Sequence, residues 1–199
     1  MARLAVFASG TGSNFVALAQ AIAARGRHRL ELLLCDRAGA PVLARAEELS
    51  IPTMLVSYHG VERQSVEKKI VRHLERRQVD LVALAGFMRL LTPWFLQAFK
   101  GPIINLHPSL LPKYAGAHAI DESFASGDPE LGISIIRVDA GVDTGPILLQ
   151  KSFTRSASDT RASVEARIHA LEHEWLPVVI DGLLDEVDAM SAPGREQAR

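Results

Sequence analysis

The sequence predicts an α/β fold with a mostly parallel, twisted sheet that is flanked by helices. Short apolar runs alternate with amphipathic stretches through the first half of the 199-residue chain. The apolar runs lack the polar alternation of half-exposed strands, which indicates strands that are buried on both faces. Buried strands that alternate with helices form parallel sheets joined by right-handed crossovers.

The elements of the first half alternate along the chain. Five strands are predicted, at residues 3–8, 30–35, 53–57, 81–86 and 102–106. Four helices lie between them, at residues 14–24, 41–49, 61–78 and 93–99. Proline is common in the first turn of a helix, and Pro41 lies at the start of the second predicted helix. Val66, Ile70 and Leu74 give the third helix an apolar face at four-residue spacing. This order predicts a Rossmann-like arrangement.

The pattern changes after Pro112. The expected elements are a short helix at 119–127, strands at 132–138 and 145–153, and a last helix at about 160–187. The two strands are separated by a loop and are expected to pair antiparallel. We expect residues 1–187 to form a single domain and residues 188–199 to be a flexible tail.

Composition excludes several classes of protein. Hydrophobic residues make up 48% and charged residues 23%, as in globular proteins with a substantial core. The net charge of -1 offers no basic excess for nucleic acid. Cys35 is the only cysteine, so no intrachain disulfide can form, and no histidine-rich cluster predicts a metal site. Neither a signal segment nor an apolar run of roughly 20 residues is present, so a cytoplasmic protein is expected.

A glycine-bearing loop, "ASGTGSN" at 8–14, joins the first strand to the first helix. Amides at a helix N-terminus carry partial positive charge and can bind an anion, such as the phosphate of a metabolite. The loop lacks the Gly-Lys-Ser/Thr of nucleotide-binding loops, and Phe15 breaks the G-x-G-x-x-G pattern. The alternative is a tight turn in which Ser13 or Asn14 caps the helix.

A polar pair follows the fifth apolar run, in "INLHPSLLPKY" at 104–114. Asn105 and His107 are two residues apart, so both side chains point to the same side of an extended chain. Ligands of open α/β sheets bind outside the carboxyl ends of the strands, which makes His107 a candidate functional residue. Its charge partner could be Asp143 or Asp139, and both could instead be ordinary turn residues.

Together the strings "SGTGSN", "LAGFMRLL", "NLHPSLLPKYAGAHA", "VDAGVDTGPIL" and "EHEWLP" resemble the phosphoribosylglycinamide formyltransferases over roughly residues 3–187. The resemblance implies the formyltransferase fold. It also implies transfer of a formyl group from 10-formyltetrahydrofolate, the co-substrate, to the amine of phosphoribosylglycinamide in purine synthesis. No metal is implied, and the partners would be these two small molecules.

The resemblance also implies site residues. Asn105 and His107 would stabilise the oxyanion that forms on the formyl group, with His107 as general acid and Asp143 as its charge partner. The residues implied for the phosphoribosyl substrate are Gly12, Ser13, Asn14, His169, Ala170, Leu171 and Glu172. Those implied for the folate are Arg63, Met88, Arg89, Leu90, Leu91, Asn105, His118, Asp139, Ala140, Gly141, Val142 and Asp143. The chain departs from the family at Ala115, where proline is commoner, and at Ile120, where some members have a second histidine.

Other formyl-folate enzymes are alternatives, among them formyltetrahydrofolate hydrolase and methionyl-tRNA formyltransferase. The near-zero net charge disfavours a tRNA substrate. Because the first strand is predicted at Arg3, we expect no N-terminal regulatory domain of the kind that hydrolases of this group typically carry. The glycine loop and Glu172 favour a phosphoribosyl substrate. A monomer and a homodimer are both compatible with the sequence.

Overall fold

The computed structural model describes the backbone of residues 1–195 and the side chains of residues 1–190. This part of the chain contains seven strands and six helices. The strands are β1 Arg3–Ala8, β2 Arg29–Cys35, β3 Thr53–Leu55, β4 Leu81–Leu84, β5 Ile103–His107, β6 Glu130–Arg137 and β7 Ile147–Thr154. The helices are α1 Ser13–Arg25, α2 Pro41–Glu48, α3 Arg63–Arg76, α4 Pro93–Ala98, α5 Ala119–Ser126 and α6 Arg161–Arg195.

All seven strands form one sheet in the order β3-β2-β1-β4-β5-β6-β7. The first five run parallel, and β6 and β7 add antiparallel pairs, which confirms the expected fold class. The sheet order reverses at β1, so the carboxyl ends of β1 and β4 lie side by side. A crevice at such a reversal is where ligands of open α/β sheets bind.

The core has two layers, one on each face of the sheet. Leu4 and Val6 of β1 point to the layer that α1 and α6 cover, while Ala5 and Phe7 point to the layer that α3 and α4 cover. All four side chains are fully buried. This alternation on a strand that is buried on both faces explains why β1 reads as one continuous apolar run.

The last helix is longer than the sequence predicted. An end at residue 187 was expected, but α6 continues to Arg195, so the beginning of the expected tail at 188–199 is helical. One stabilising contact is an ion pair of 2.5 Å between the Met1 ammonium and Asp188 Oδ1, which attaches this part of α6 to the start of the chain. Residues 196–199 lie outside the described part of the chain. No helix in the described part is both long and apolar enough to cross a membrane.

Candidate active site

The glycine loop presents an uncapped helix N-terminus. Gly12 is the N-cap of α1, and no side chain caps the helix, so Ser13 and Asn14 do not play the capping role that the alternative interpretation gave them. The first amides of α1 therefore have neither an intrahelical acceptor nor a capping side chain. Gly12 has φ +79°, and a Cβ there would lie 2.4 Å from Val42 Cγ2. Glycine is required at this position by both conformation and space.

A cavity of about 320 Å³ lies against this helix end. The glycine loop forms one wall, the segment after β4 forms another, and the N-terminal half of α6 forms a third. Its lining is Gly10, Thr11, Gly12, Ser13, Asn14, Ala85, Gly86, Met88, Leu106, Pro108, Ala117, His118, Ala119, Ile120, Asp121, Arg161, His169 and Glu172.

A polar network crosses the cavity from the glycine loop to α6. Glu172 is 4% exposed, and its Oε2 accepts hydrogen bonds from Asn14 Nδ2 at 2.9 Å and from His169 Nδ1 at 2.8 Å. The hydrogen bond to Glu172 raises the pKa of His169 above its ordinary value, against the opposing effect of burial. Asn14 Oδ1 is buried and has no hydrogen-bond partner among the described residues. A buried orphan acceptor at a cavity fits a ligand that brings its own donor.

The structure brings Asn105, His107 and Asp143 together. Asp143 Oδ1 accepts a hydrogen bond from Asn105 Nδ2 at 3.1 Å, and Asp143 Oδ2 lies 3.4 Å from His107 Nδ1. Oδ2 also accepts from the Gly116 amide at 2.9 Å. The side chains of His107 and Asp143 are 5% and 12% exposed. Their low exposure strengthens the electrostatic coupling within the cluster.

The second nitrogen of His107 is held by the backbone. Its Nε2 lies 2.8 Å from the carbonyl oxygen of Tyr114, a residue in the left-handed conformation with φ 56°. A carbonyl only accepts, so Nε2 carries a proton and donates it there. Nδ1 is consequently the nitrogen that faces the Asp143 carboxylate. The sequence placed His107 after the strand, whereas it is the last residue of β5.

The loop after β6 separates the two candidate aspartates. Asp139 Oδ1 accepts from the Gly141 amide and from the Thr144 hydroxyl, so Asp139 stabilises a local turn. Asp143, with φ 54°, is the residue whose carboxylate reaches His107. Ala140, Gly141 and Val142 between them are exposed.

The cavity and the Asn105–His107–Asp143 cluster lie on opposite faces of the sheet, at the carboxyl ends of β4 and β5. Leu106 lines the cavity, while Asn105 and His107 alternate with it along β5 and point to the other side. Gly86 and Met88 follow β4, the parallel neighbour of β5, and reach the cavity at the edge between the two sides. A substrate bound in the cavity must therefore extend past the ends of β4 and β5 to reach His107.

The segment after β4 is fixed by side chains from several elements. Arg63 donates to the Leu90 carbonyl at 2.5 Å, and Arg89 stacks 4.3 Å from the Tyr58 ring. Leu91 packs against the core, whereas Met88 and Leu90 are 61% and 57% exposed. The exposed apolar pair suits a flat aromatic ligand, while the side chains of Arg63 and Arg89 are engaged within the protein.

Some expected site residues lie away from the cavity, and two charged residues that line it were not expected. Ala170 and Leu171 do not line it, and Leu171 packs against the core. Arg161 and Asp121 do line it, and Arg161 is paired at 2.6 Å with Asp121 and at 2.5 Å with Glu165. No local pattern could predict the pair of Arg161 with Asp121, since its partners are separated by 40 positions. Within the described residues, no cluster of three or more His, Cys, Asp and Glu side chains could hold a metal ion.

Comparison with known proteins identifies the family. Residues 2–180 match the family described as Formyl transferase. The chain is 43% identical over 186 residues to phosphoribosylglycinamide formyltransferase of Bacillus subtilis (strain 168), covering 92% of this chain and 95% of that protein. The chain belongs to the phosphoribosylglycinamide formyltransferase family. A second phosphoribosylglycinamide formyltransferase, from Escherichia coli (strain K12), is 33% identical over 184 residues, or 92% of this chain and 87% of that protein.

A solved structure of this family has the same fold. Glycinamide ribonucleotide transformylase 1 from Geobacillus kaustophilus superimposes with a TM-score of 0.87 at 43% identity, over 92% of this chain and 99% of that chain. The formyltransferase fold and the family resemblance inferred from the sequence are both confirmed. The chain is thus a phosphoribosylglycinamide formyltransferase by family, and the roles of its individual site residues follow as proposals.

Proposed function

We propose that this enzyme transfers the formyl group of 10-formyltetrahydrofolate to the glycinamide amine of phosphoribosylglycinamide, a step of purine synthesis. One observation supports the proposal most strongly. The uncapped N-terminus of α1 and the unpartnered Asn14 Oδ1 lie on one face of the sheet, and the largely buried Asn–His–Asp cluster lies on the other face, at the carboxyl ends of the same strands. A formyl acceptor that carries a phosphate needs both features, whereas a hydrolase, which transfers the formyl group to water, needs the cluster alone.

The phosphoribosyl substrate would bind with its phosphate at the N-terminus of α1. The backbone amides of Gly12, Ser13 and Asn14 would donate to it, and protonated His169 would add charge. A ribose hydroxyl would donate to Asn14 Oδ1, the orphan acceptor. The glycinamide arm would then extend over the sheet edge toward His107.

The folate would bind between the segment at 88–91 and the loop at 139–143. Backbone amides and carbonyls of these segments would recognise the edges of the pterin ring. The exposed side chains of Met88, Leu90 and Val142 would cover its faces. Arg63, at the start of α3, donates from Nη2 to the Leu90 carbonyl and would direct its other N–H groups to the charged tail of the folate. His118, at the rim of the cavity, would contact either substrate.

Each member of the cluster would have a distinct role in formyl transfer. The amine attacks the formyl carbon, and negative charge develops on the formyl oxygen. Asn105 Nδ2 has a second hydrogen besides the one directed to Asp143, and it would donate this hydrogen to the oxygen. His107 would donate from Nδ1 to the same oxygen as general acid, and the proton would return to Nδ1 when the carbonyl re-forms.

Asp143 would orient both donors and balance the charge of the imidazolium. The proton lost by the amine would pass, through Asp143 or water, to N10 of tetrahydrofolate as the carbon–nitrogen bond to N10 breaks. The bond to the glycinamide nitrogen replaces it. In the net reaction the glycinamide nitrogen exchanges a proton for the formyl group, and N10 exchanges the formyl group for a proton.

The proposal is tested with purified enzyme and 10-formyltetrahydrofolate, with and without phosphoribosylglycinamide. We expect tetrahydrofolate to form only when the acceptor is present, with one formylated acceptor per folate consumed. Folate turnover at the same rate without acceptor would instead indicate a hydrolase. We also propose that the enzyme is cytoplasmic and that it is a monomer or a homodimer.

A further inference from the structure

The buried carboxylate of Asp36 lies outside the proposed mechanism. It directly follows β2, and its side chain is 2% exposed. Asp36 Oδ2 pairs with Arg89 Nε at 2.5 Å, and Asp36 Oδ1 accepts from the Ser9 hydroxyl at 2.5 Å. A buried charge is costly unless it is paired and hydrogen-bonded, so this arrangement holds all three side chains in one geometry.

Ser9 connects this carboxylate to both binding segments. It lies within the glycine loop, directly after the last residue of β1, and is 2% exposed. Its hydroxyl accepts a hydrogen bond from the Met88 amide at 3.1 Å, and its own amide donates to the Gly86 carbonyl at 3.0 Å. One residue therefore joins the start of the phosphate-binding loop to the start of the folate-binding segment.

Arg89 completes the connection from the folate side. Its guanidinium carbon lies 4.3 Å from the Tyr58 ring, so the side chain is fixed by a carboxylate and an aromatic face together. The backbone of residues 88–91 is thus attached at Met88 through Ser9 and at Arg89 through Asp36.

We propose that Asp36 is a positioning residue for folate binding, acting through Arg89 and Ser9 on the 88–91 segment. This inference rests on the proposed function, because it assumes that this segment binds the folate. Asp36 touches neither substrate. It sets the position of the backbone groups that do, and Ser9 ties that position to the glycine loop.

The test compares Asp36→Asn, which removes the charge but keeps an acceptor for Ser9, with Glu31→Gln. Glu31 is a matched control, because its side chain is 9% exposed and pairs with Arg77 Nη1 at 3.0 Å, away from both binding segments. For Asp36→Asn we expect the KM for 10-formyltetrahydrofolate to rise about tenfold, with kcat changed less than about threefold. Glu31→Gln should leave both constants unchanged.

Amide hydrogen exchange supplies a measurement that does not depend on activity. Ser9→Ala removes the acceptor of the Met88 amide, so exchange at Met88 should accelerate while β1 stays protected. Ser9→Ala should also raise the folate KM, and it carries the test if Asp36→Asn does not fold.

The outcomes separate this inference from the proposed function. If the wild-type enzyme neither binds nor turns over formyl folate, the proposed function is wrong, whatever the variants do. If the wild type is active but both variants keep its folate KM and the exchange rate at Met88, Asp36 is only a structural residue. A KM increase shared equally by Glu31→Gln would also overturn the inference, because it would reflect general destabilisation.

Discussion

Replacing Asp143 with asparagine tests the centre of the proposed mechanism. Both carboxylate oxygens accept hydrogen bonds, from Asn105 Nδ2 and from the Gly116 amide. The asparagine must place its NH2 group against one of these donors, whichever way it is turned. One charge-assisted hydrogen bond is therefore lost, which costs roughly 1.5–3 kcal/mol.

The charge itself contributes as well. Oδ2 lies 3.4 Å from His107 Nδ1, and unit charges at that distance attract by about 5 kcal/mol at an effective dielectric constant of about 20. Part of this attraction is offset by desolvation, so we take about 3–5 kcal/mol as the total loss in the transition state. This corresponds to a kcat that is lower by roughly 10²- to 10⁴-fold.

The assay is steady-state turnover at saturating concentrations of both substrates, with circular dichroism to establish that the variant is folded. Asp185→Asn is the matched control, because Asp185 also binds a buried histidine, at 2.9 Å from His28 Nε2, but outside the cavity and the cluster. The control should keep wild-type kcat. A folded Asp143→Asn enzyme with kcat within about threefold of wild type would refute the assigned role.

Two further predictions concern the phosphate end of the site. The hydrogen bond to Glu172 stabilises the protonated form of His169 and so raises its pKa. The positive charge of His169 is therefore present at lower pH and is lost as pH rises through that raised pKa. The KM for phosphoribosylglycinamide should therefore increase from pH 7 to 9 in the wild type but stay flat in His169→Gln; parallel profiles would contradict a contact with phosphate. Gly12→Ala should lower the free energy of unfolding by about 2–4 kcal/mol, through backbone strain at φ +79° and the clash with Val42. Urea denaturation measures this loss, and Gly10→Ala, where an added Cβ meets nothing within 4 Å, should cost less than about 1 kcal/mol. Equal losses in the two variants would contradict the steric argument.

Much of the fold could be predicted because local patterns of apolar and polar residues indicate the strands and helices. Apolar runs without polar alternation predicted strands that are buried on both faces, and β1 is such a strand. The pairing of β6 with β7 also followed from composition and the loop between them. The predicted end of α6 was eight residues too early. The ion pair of Met1 with Asp188, just beyond that predicted end, joins positions 187 apart, which a local pattern cannot show.

The candidate site was partly accessible in the same way. Asn105 and His107 share a side because a strand alternates with period two, which spacing alone reveals. The choice between Asp139 and Asp143 could not be made, since both lie among turn-forming residues and only the loop's path decides which one reaches the histidine. The Tyr114 carbonyl that accepts from His107 Nε2 could not be predicted, because any residue can supply a backbone carbonyl.

The sequence by itself determined the order of strands and helices along the chain, the glycine-bearing turn between β1 and α1, and the polar pair at the end of β5. These depend on short spacings along the chain and on the conformational needs of glycine and proline. Only the tertiary structure decided that the cavity and the cluster face opposite sides of one sheet edge. It also decided that Asp36 reaches Arg89 across 53 positions. The physical reason is that buried charges and backbone acceptors find partners through the folded chain's path, and no local pattern encodes that path.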